Sequence, residues 1–307
     1  MTQPLTTLQK DIVRTLAYFD NFAYPLSADQ VKAFLPRNSV SLEQLEESLE
    51  NLTTAGFLRK EKAFYFFADR SPAVVASRIH NEQRASRMKK KVLWISFFLR
   101  QVPFVRAVFV TGSLSKNVAG PSSDVDFMIV TAKNRLWVSK MILTAIRRTI
   151  LFGSTKYFCC NLFVTEDGFM FFEQNIFNAI EIATTQVLWN EAAHRKFQSA
   201  NSWIERFLPN WRSNHAHGGF ASASSSFIQS VLEKFLNMFP LSTIDAKLMD
   251  FARTYWKKRN IHLDEHRFNS LFLCTPDIST VWYDDHQRRI LSGLRQRLTQ
   301  LGVDQVA

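Results

Sequence analysis

The residues best equipped for chemistry crowd into one short run, Val110-Thr-Gly-Ser-Leu-Ser-Lys-Asn-Val-Ala-Gly-Pro-Ser-Ser-Asp-Val-Asp-Phe-Met-Ile-Val130. Ten residues separate Gly112-Ser113 from Asp124, and a single valine separates Asp124 from Asp126. A glycine lets a phosphate approach the backbone, and a serine offers it both a hydroxyl and an amide donor. Lys116 is a candidate cation for the same anion. Two carboxylates at strand spacing point to one face, where hard oxygen ligands of this kind share a divalent cation such as Mg²⁺ or Mn²⁺.

The flanking residues supply what must position this set. Arg106 to Thr111 reads as a buried β-strand, followed by a turn rich in Ser, Asn, Gly and Pro and by a second strand from Val125 to Thr131. Gly-Ser and the carboxylates then meet at one sheet edge. In these features the chain resembles the nucleotidyltransferase superfamily that includes DNA polymerase beta and kanamycin nucleotidyltransferase. Its signature is Gly-Ser, roughly nine to thirteen residues, then Asp-x-Asp. The resemblance covers about Arg84 to Glu181, and its specific positions are the Gly-Ser and the Asp-x-Asp.

That resemblance implies an α+β fold with a small mixed-sheet core. It further implies that Asp124 and Asp126 are catalytic and hold Mg²⁺ or Mn²⁺, and that Gly112, Ser113 and Lys116 bind the phosphates of a nucleoside triphosphate substrate. Active members add a third acid on a following strand. Here that strand, Tyr157 to Thr165, offers Asn161 or Cys159, neither of which can serve as a carboxylate base. Glu166, Asp167 and Glu181 are the remaining candidates for a third carboxylate.

Upstream, Leu8, Ile12, Leu16 and Phe19 recur at helical spacing. Ser27 with Gln30 and Ser41 with Gln44 are capping boxes that open a second and a third helix, stopped by Pro36 and Gly56. Phe57 to Phe67 reads as a hairpin around Arg59-Lys-Glu-Lys62. Three helices and a hairpin look like a winged-helix domain over residues 1–70. A DNA-reading third helix needs basic or amide side chains, yet this one carries Glu43, Glu46, Glu47 and Glu50, which repel phosphates. A structural or protein-binding role follows better than DNA reading.

A basic connecting helix from Pro72, ending near Pro103, leads into the core, assigned to residues 71–209. After the second strand, a helix capped by Asn134 and ended by Gly153 presents Leu136, Leu143, Ile146 and Ile150 on one face. Phe169 to Phe172 is expected to pair back on the third strand. The Ser, His, Ala and Gly-rich stretch 210–226 opens a C-terminal helical region, residues 210–307, with helices at Phe227 to Phe239, Ile244 to Lys258 and Asp284 to Leu301.

With 307 residues and 46% hydrophobic content, the chain can bury a full core. Three cysteines, two of them adjacent, make no disulfide framework, which fits a reducing cytoplasm. The most apolar stretch, Val92 to Val110, is broken by Arg100, Gln101, Pro103 and Arg106, and no membrane partner is expected. The net charge of +11 attracts polyanions, nucleic acid among them. It is uneven: residues 1–70 hold 8 Lys and Arg against 9 Asp and Glu, whereas residues 71–130 hold 9 against 3. His215 and His217 lack neighbouring Cys or acids, so they make no metal site. The expectation is a Mg²⁺-dependent nucleotidyltransferase moving a nucleoside monophosphate to an acceptor. An inactive nucleotide- or partner-binding homologue, or a winged-helix regulator, are the alternatives.

Overall fold

The computed structural model describes residues 4–36, 40–149, 152, 158–171, 173–211, 226–282 and 285–304. Three helices open the chain, α1 (Thr7–Asp20), α2 (Ala28–Phe34) and α3 (Leu42–Thr54), and each begins at a capping box, Thr6 with Gln9, Ser27 with Gln30 and Ser41 with Gln44. The hydroxyl and the glutamine side chain reciprocally satisfy amide donors that the first turn leaves orphaned. Strands β1 (Leu58–Glu61) and β2 (Phe64–Phe67) form an antiparallel hairpin, and Leu26 bridges to Tyr65 beside it. Ile12, Leu16, Phe19, Leu45, Leu49 and Phe67 close over one another beneath these elements.

The long α4 (Ala73–Leu99) carries the chain to β3 (Val105–Val110), the short α5 (Gly112–Ser115) and β4 (Asp126–Thr131). Next come α6 (Leu136–Thr149), β5 (Cys159–Thr165), α7 (Ile176–Ala183), β6 (Gln186–Trp189), α8 (Glu191–Ala200) and a 3-10 turn at Ser202–Arg206. The remainder holds α9 (Phe227–Leu236), α10 (Leu241–Arg259), α11 (Glu265–Leu271), β7 (Ile278–Thr280) and α12 (His286–Gln300).

Among the described residues, five strands form one mixed sheet in the order β6-β3-β4-β5-β7, in which β4 and β5 run parallel and the other neighbours antiparallel. Strand alternation divides the core in two. Ala107, Phe109, Met128 and Val130 face the N-terminal helices, α7, α8 and α12, whereas Val108, Val110, Phe127 and Ile129 face α4 and α6. Asp126 shares its parity with Met128 and Val130, so it projects toward the α7 side. An α+β fold around a small mixed sheet is therefore what the chain adopts.

The differences from the expected elements lie in the short strands. Phe169 to Phe171 carries no strand, and Phe172 lies outside the described residues, as do Ile150, Gly153, Tyr157, His215, His217 and Asp284. The partner of β5 is β7, from the region expected to be helical, and β6 flanks β3 on the far edge. Strands of three and four residues carry too little alternation to be recognised alone; pairing with β3 and β5 is what makes them strands.

One buried cluster runs without a break from Ile12 and Leu16 through Phe109, Phe177 and Phe197 to Leu294 and Leu298. Helix α12 seals it against α1, and its Arg297 sits at the junction. The guanidinium makes two bonds to Asp69, at 2.8 and 2.7 Å, and its Nε lies 2.9 Å from Asp20 Oδ2. Asp20 is also held bidentately by Arg70, and the Arg297 guanidinium covers the Phe67 ring at 4.6 Å. Arg297 is mostly buried, so its loss frees Asp69, leaves Asp20 to Arg70 alone and uncovers a ring. The Lys60–Glu50 pair, at 2.8 Å, is solvent-screened by comparison. Arg297→Ala should therefore lower unfolding free energy by about 1–3 kcal/mol in urea titration. Lys60→Ala should leave the midpoint unchanged within error. Equal effects of the two substitutions would contradict the ranking by burial.

Candidate functional site

The site is assembled where β3 ends and β4 begins. The Thr111 amide donates to the Asp126 carbonyl at 3.0 Å, extending the β3–β4 ladder by one step past Val110. The chain then turns sharply at Gly112, whose φ of +66° is left-handed and disfavours a side chain. A second constraint falls on the same residue. A Cβ at position 112 would collide with Asp126 Oδ2 and lie 3.3 Å from its Cγ. The absence of a side chain is what lets the Asp126 carboxylate lie against the Gly112 backbone.

Ser113 follows within α5, and the tight turn is held from beneath. Ser115 Oγ donates to the Gly112 carbonyl at 2.8 Å, and the Gln186 side-chain amide donates to the Ser115 carbonyl. Lys116 terminates α5 and folds back over it, its Nζ donating to the Gly112 carbonyl at 3.0 Å and to Glu181 Oε1 at 2.8 Å. From the N-terminal unit, the Tyr24 hydroxyl donates to the Lys116 carbonyl at 2.9 Å. Gly112, Ser113, Lys116, Asp126 and Glu181 thus belong to one constellation.

Asp126 carries the strongest electrostatic signal among them. Burial pushes its carboxyl up from the ordinary 3.8 to about 6, and the negative charges of Glu181 and Asp124 add to the rise. Lys116 and the Asn161 amide, whose Nδ2 donates to Asp126 Oδ1 at 3.3 Å, oppose it. Asp124 is therefore near enough to Asp126 for the two charges to repel. The neighbouring Cys159 thiol, paired with Asp126 across β4 and β5, is pushed up to about 11 by burial and by Asp126.

The three candidates for a third acid separate cleanly. Asp126 opens β4, whereas Glu166 and Asp167 follow Thr165, which pairs with Thr131 at the other end of that strand. Five residues of strand put them roughly 17 Å away, and Asp167 is taken up in a 2.9 Å pair with Lys133. Glu181, on α7, is the one whose charge reaches Asp126. On β5, Asn161 is the residue whose side chain bonds the carboxylate. Tyr24 and Gln186 were not anticipated, because each reaches the turn from a distant element and carries no local sequence signal.

The donor set suits Mg²⁺ or Mn²⁺. Such ions are held by one or two carboxylates, with water and substrate phosphate completing the shell, and three protein ligands are not required. Among the described residues, no group of three or more His, Cys, Asp or Glu side chains is arranged to hold a metal alone. The crowding of negative charge at Asp126 is what a bound cation would relieve.

Residues 94–182 match the family model described as a nucleotidyltransferase domain, a span that runs from the end of α4 through Glu181. That segment is thus similar to a nucleotidyltransferase domain. No curated protein and no solved structure matches it significantly.

The raised Asp126 pKa fixes the sign of one stability effect. Below about pH 4 the carboxyl is protonated folded or unfolded and costs nothing; as pH climbs through 6, the folded protein bears the full penalty of burying the charge. With chelator present, Asp126→Asn should stabilise the fold at neutral pH by up to about 3 kcal/mol, and the gain should vanish near pH 4. Thermal melting across that range checks it. A variant that melts below wild type at neutral pH would show that the charge supports the fold rather than straining it.

Proposed function

We propose that this chain is a Mg²⁺-dependent nucleotidyltransferase that moves a nucleoside monophosphate from a nucleoside triphosphate to an acceptor hydroxyl. The observation that carries the reading is the Asp126 carboxylate lodged against Gly112 with the charge of Asp124 beside it. Gly112 admits a phosphate to the backbone, Ser113 donates a hydroxyl and an amide to its oxygens, and Lys116 supplies positive charge. Asp124 and Asp126 would hold the cation, which when bound neutralises the triphosphate and stabilises charge developing at the α-phosphate.

In such a transfer the acceptor oxygen bonds to the α-phosphorus, the bridging α–β oxygen bond breaks, and pyrophosphate leaves. The acceptor proton needs a base. Asn161 cannot take it, and we assign that role to Glu181, the one further carboxylate whose charge reaches Asp126. Lys116, paired with Glu181 in the absence of substrate, would exchange that partner for phosphate and leave the carboxylate available.

A second reading rests on Asn161. Its amide bonds Asp126 where active relatives place an acid, which favours a homologue that binds metal and nucleotide without turnover. We further propose that residues 1–70 form a winged-helix unit with a structural or protein-binding role, in a cytoplasmic protein. Glu43, Glu46, Glu47 and Glu50 are all exposed on α3, and Glu50 neutralises Lys60 of the hairpin.

Calorimetry and a transfer assay together decide between the two readings. Nucleoside triphosphate binding should require Mg²⁺ and weaken at least about tenfold in Asp124→Asn and Asp126→Asn, since each replaces a charged oxygen ligand with a near isostere. Glu181→Gln should retain that binding and lose transfer of label from nucleoside triphosphate to the components of a cell extract. Metal-dependent binding without transfer in wild type would establish the inactive homologue. Unchanged binding in both aspartate variants would remove the basis of either.

A further inference from the structure

Helix α9 is amphipathic in the reverse sense, with its polar side turned to the protein and its apolar side to solvent. Gln229 is fully buried and donates to the carbonyls of Val102 and Val105 at 3.0 and 2.7 Å. Glu233 accepts from the Phe104 amide at 2.6 Å and pairs with Arg106 at 2.8 and 3.0 Å. These bonds fasten the helix to the start of β3. Outward, Phe227, Phe235 and Met238 are 83%, 58% and 79% exposed, with Ile228, Val231 and Phe239 beside them.

Hydrogen bonds fix this orientation, so the exposed stripe is a built surface. The phenylalanines alone present about 400 Å² of apolar area, and the whole stripe roughly 700–800 Å². A monomer seldom exposes a patch so large. Specific protein interfaces bury about 800 Å² per partner.

We infer that this face of α9 pairs with the same face of a second copy of the chain, forming a symmetric dimer. Ile228, Val231 and Phe235 follow one another within α9 at spacings of three and four, the spacing by which two helices interlock side chains along a common seam, and Met238 extends the apolar face just past the helix end. Two copies of one apolar stripe can meet about a two-fold axis, the arrangement that an interface between identical subunits requires. Lys234 is the single charged residue on the exposed part of the helix. A lipid surface would fit less well. Helices that lie in a membrane interface flank their apolar face with several Lys and Arg directed to headgroups, whereas α9 offers Lys234 alone. Nucleic acid, in turn, demands cations that the stripe does not have. The inference is independent of the nucleotidyltransferase reading.

Sedimentation equilibrium on the full chain tests it. Wild type should be a dimer at micromolar concentration. Each copy carries a net charge of +11, so added salt should tighten association by screening repulsion. Val231→Glu and Phe235→Glu bury an unpaired charge in the seam and should raise the dissociation constant by about a hundredfold. Both residues are exposed in the single chain, so circular dichroism and melting of the separated copies should not change. Ile261→Glu, at an exposed site beyond α10, should leave the dimer intact. A wild type that stays monomeric, or glutamate variants that remain dimeric, would overturn the proposal. So would a monomer that floats with anionic phosphatidylglycerol vesicles and loses that binding on Phe235→Glu, since lipid would then be the occupant.

Discussion

The close approach of the Asp126 carboxylate to the backbone of Gly112 is the constraint around which the rest is arranged. It places a negative charge, costly to bury, against a turn suited to receive another anion. No side chain fits between them, and the left-handed backbone at position 112 excludes most residues independently. Everything nearby either creates that contact or offsets its cost. The β3–β4 ladder brings the two residues together, Lys116 and the Asn161 amide partly compensate the charge, and Asp124 and Glu181 aggravate it. A site that is electrostatically uncomfortable without a ligand is poised to gain from a cation.

The surrounding fold limits how far this turn can relax. Ser115 and Gln186 brace α5 from within the core, and Tyr24 reaches the Lys116 carbonyl from the N-terminal helices. Because one core joins the N-terminal helices, the α7 face of the sheet and α12, the three-helix unit acts as a support for the site as well as a folded module. Arg297, bridging Asp20 and Asp69, belongs to the same support, far from any chemistry.

How much of this could be read from sequence depended on whether the determinants were local. Gly112-Ser113, Asp124-x-Asp126 and the apolar strands around them lie within one hairpin, so spacing alone brought the Gly-Ser turn and the carboxylates together. Capping boxes at Ser27 and Ser41 fixed helix starts for the same reason. Strands β6 and β7 escaped because each is defined by a distant partner. Glu181 could be named as one candidate acid among three, but separating it from Glu166 and Asp167 required knowing which end of β4 each one neighbours. The inward-facing polar side of α9 was hidden too, since its apolar spacing looks the same whether the stripe faces a core or solvent.

The central claim is that the contact between Gly112 and Asp126 forms a joint seat for a divalent cation and a triphosphate. Electron paramagnetic resonance of Mn²⁺, titrated into wild type and Gly112→Ala with and without nucleoside triphosphate, examines that contact directly. Wild type should bind Mn²⁺ and hold it more tightly when the triphosphate is present. Gly112→Ala should lose both the binding and the enhancement while retaining its far-ultraviolet circular dichroism, because its added methyl group displaces the carboxylate from the turn. Mn²⁺ affinity that is equal in the two proteins, or indifferent to the triphosphate in wild type, would contradict the account.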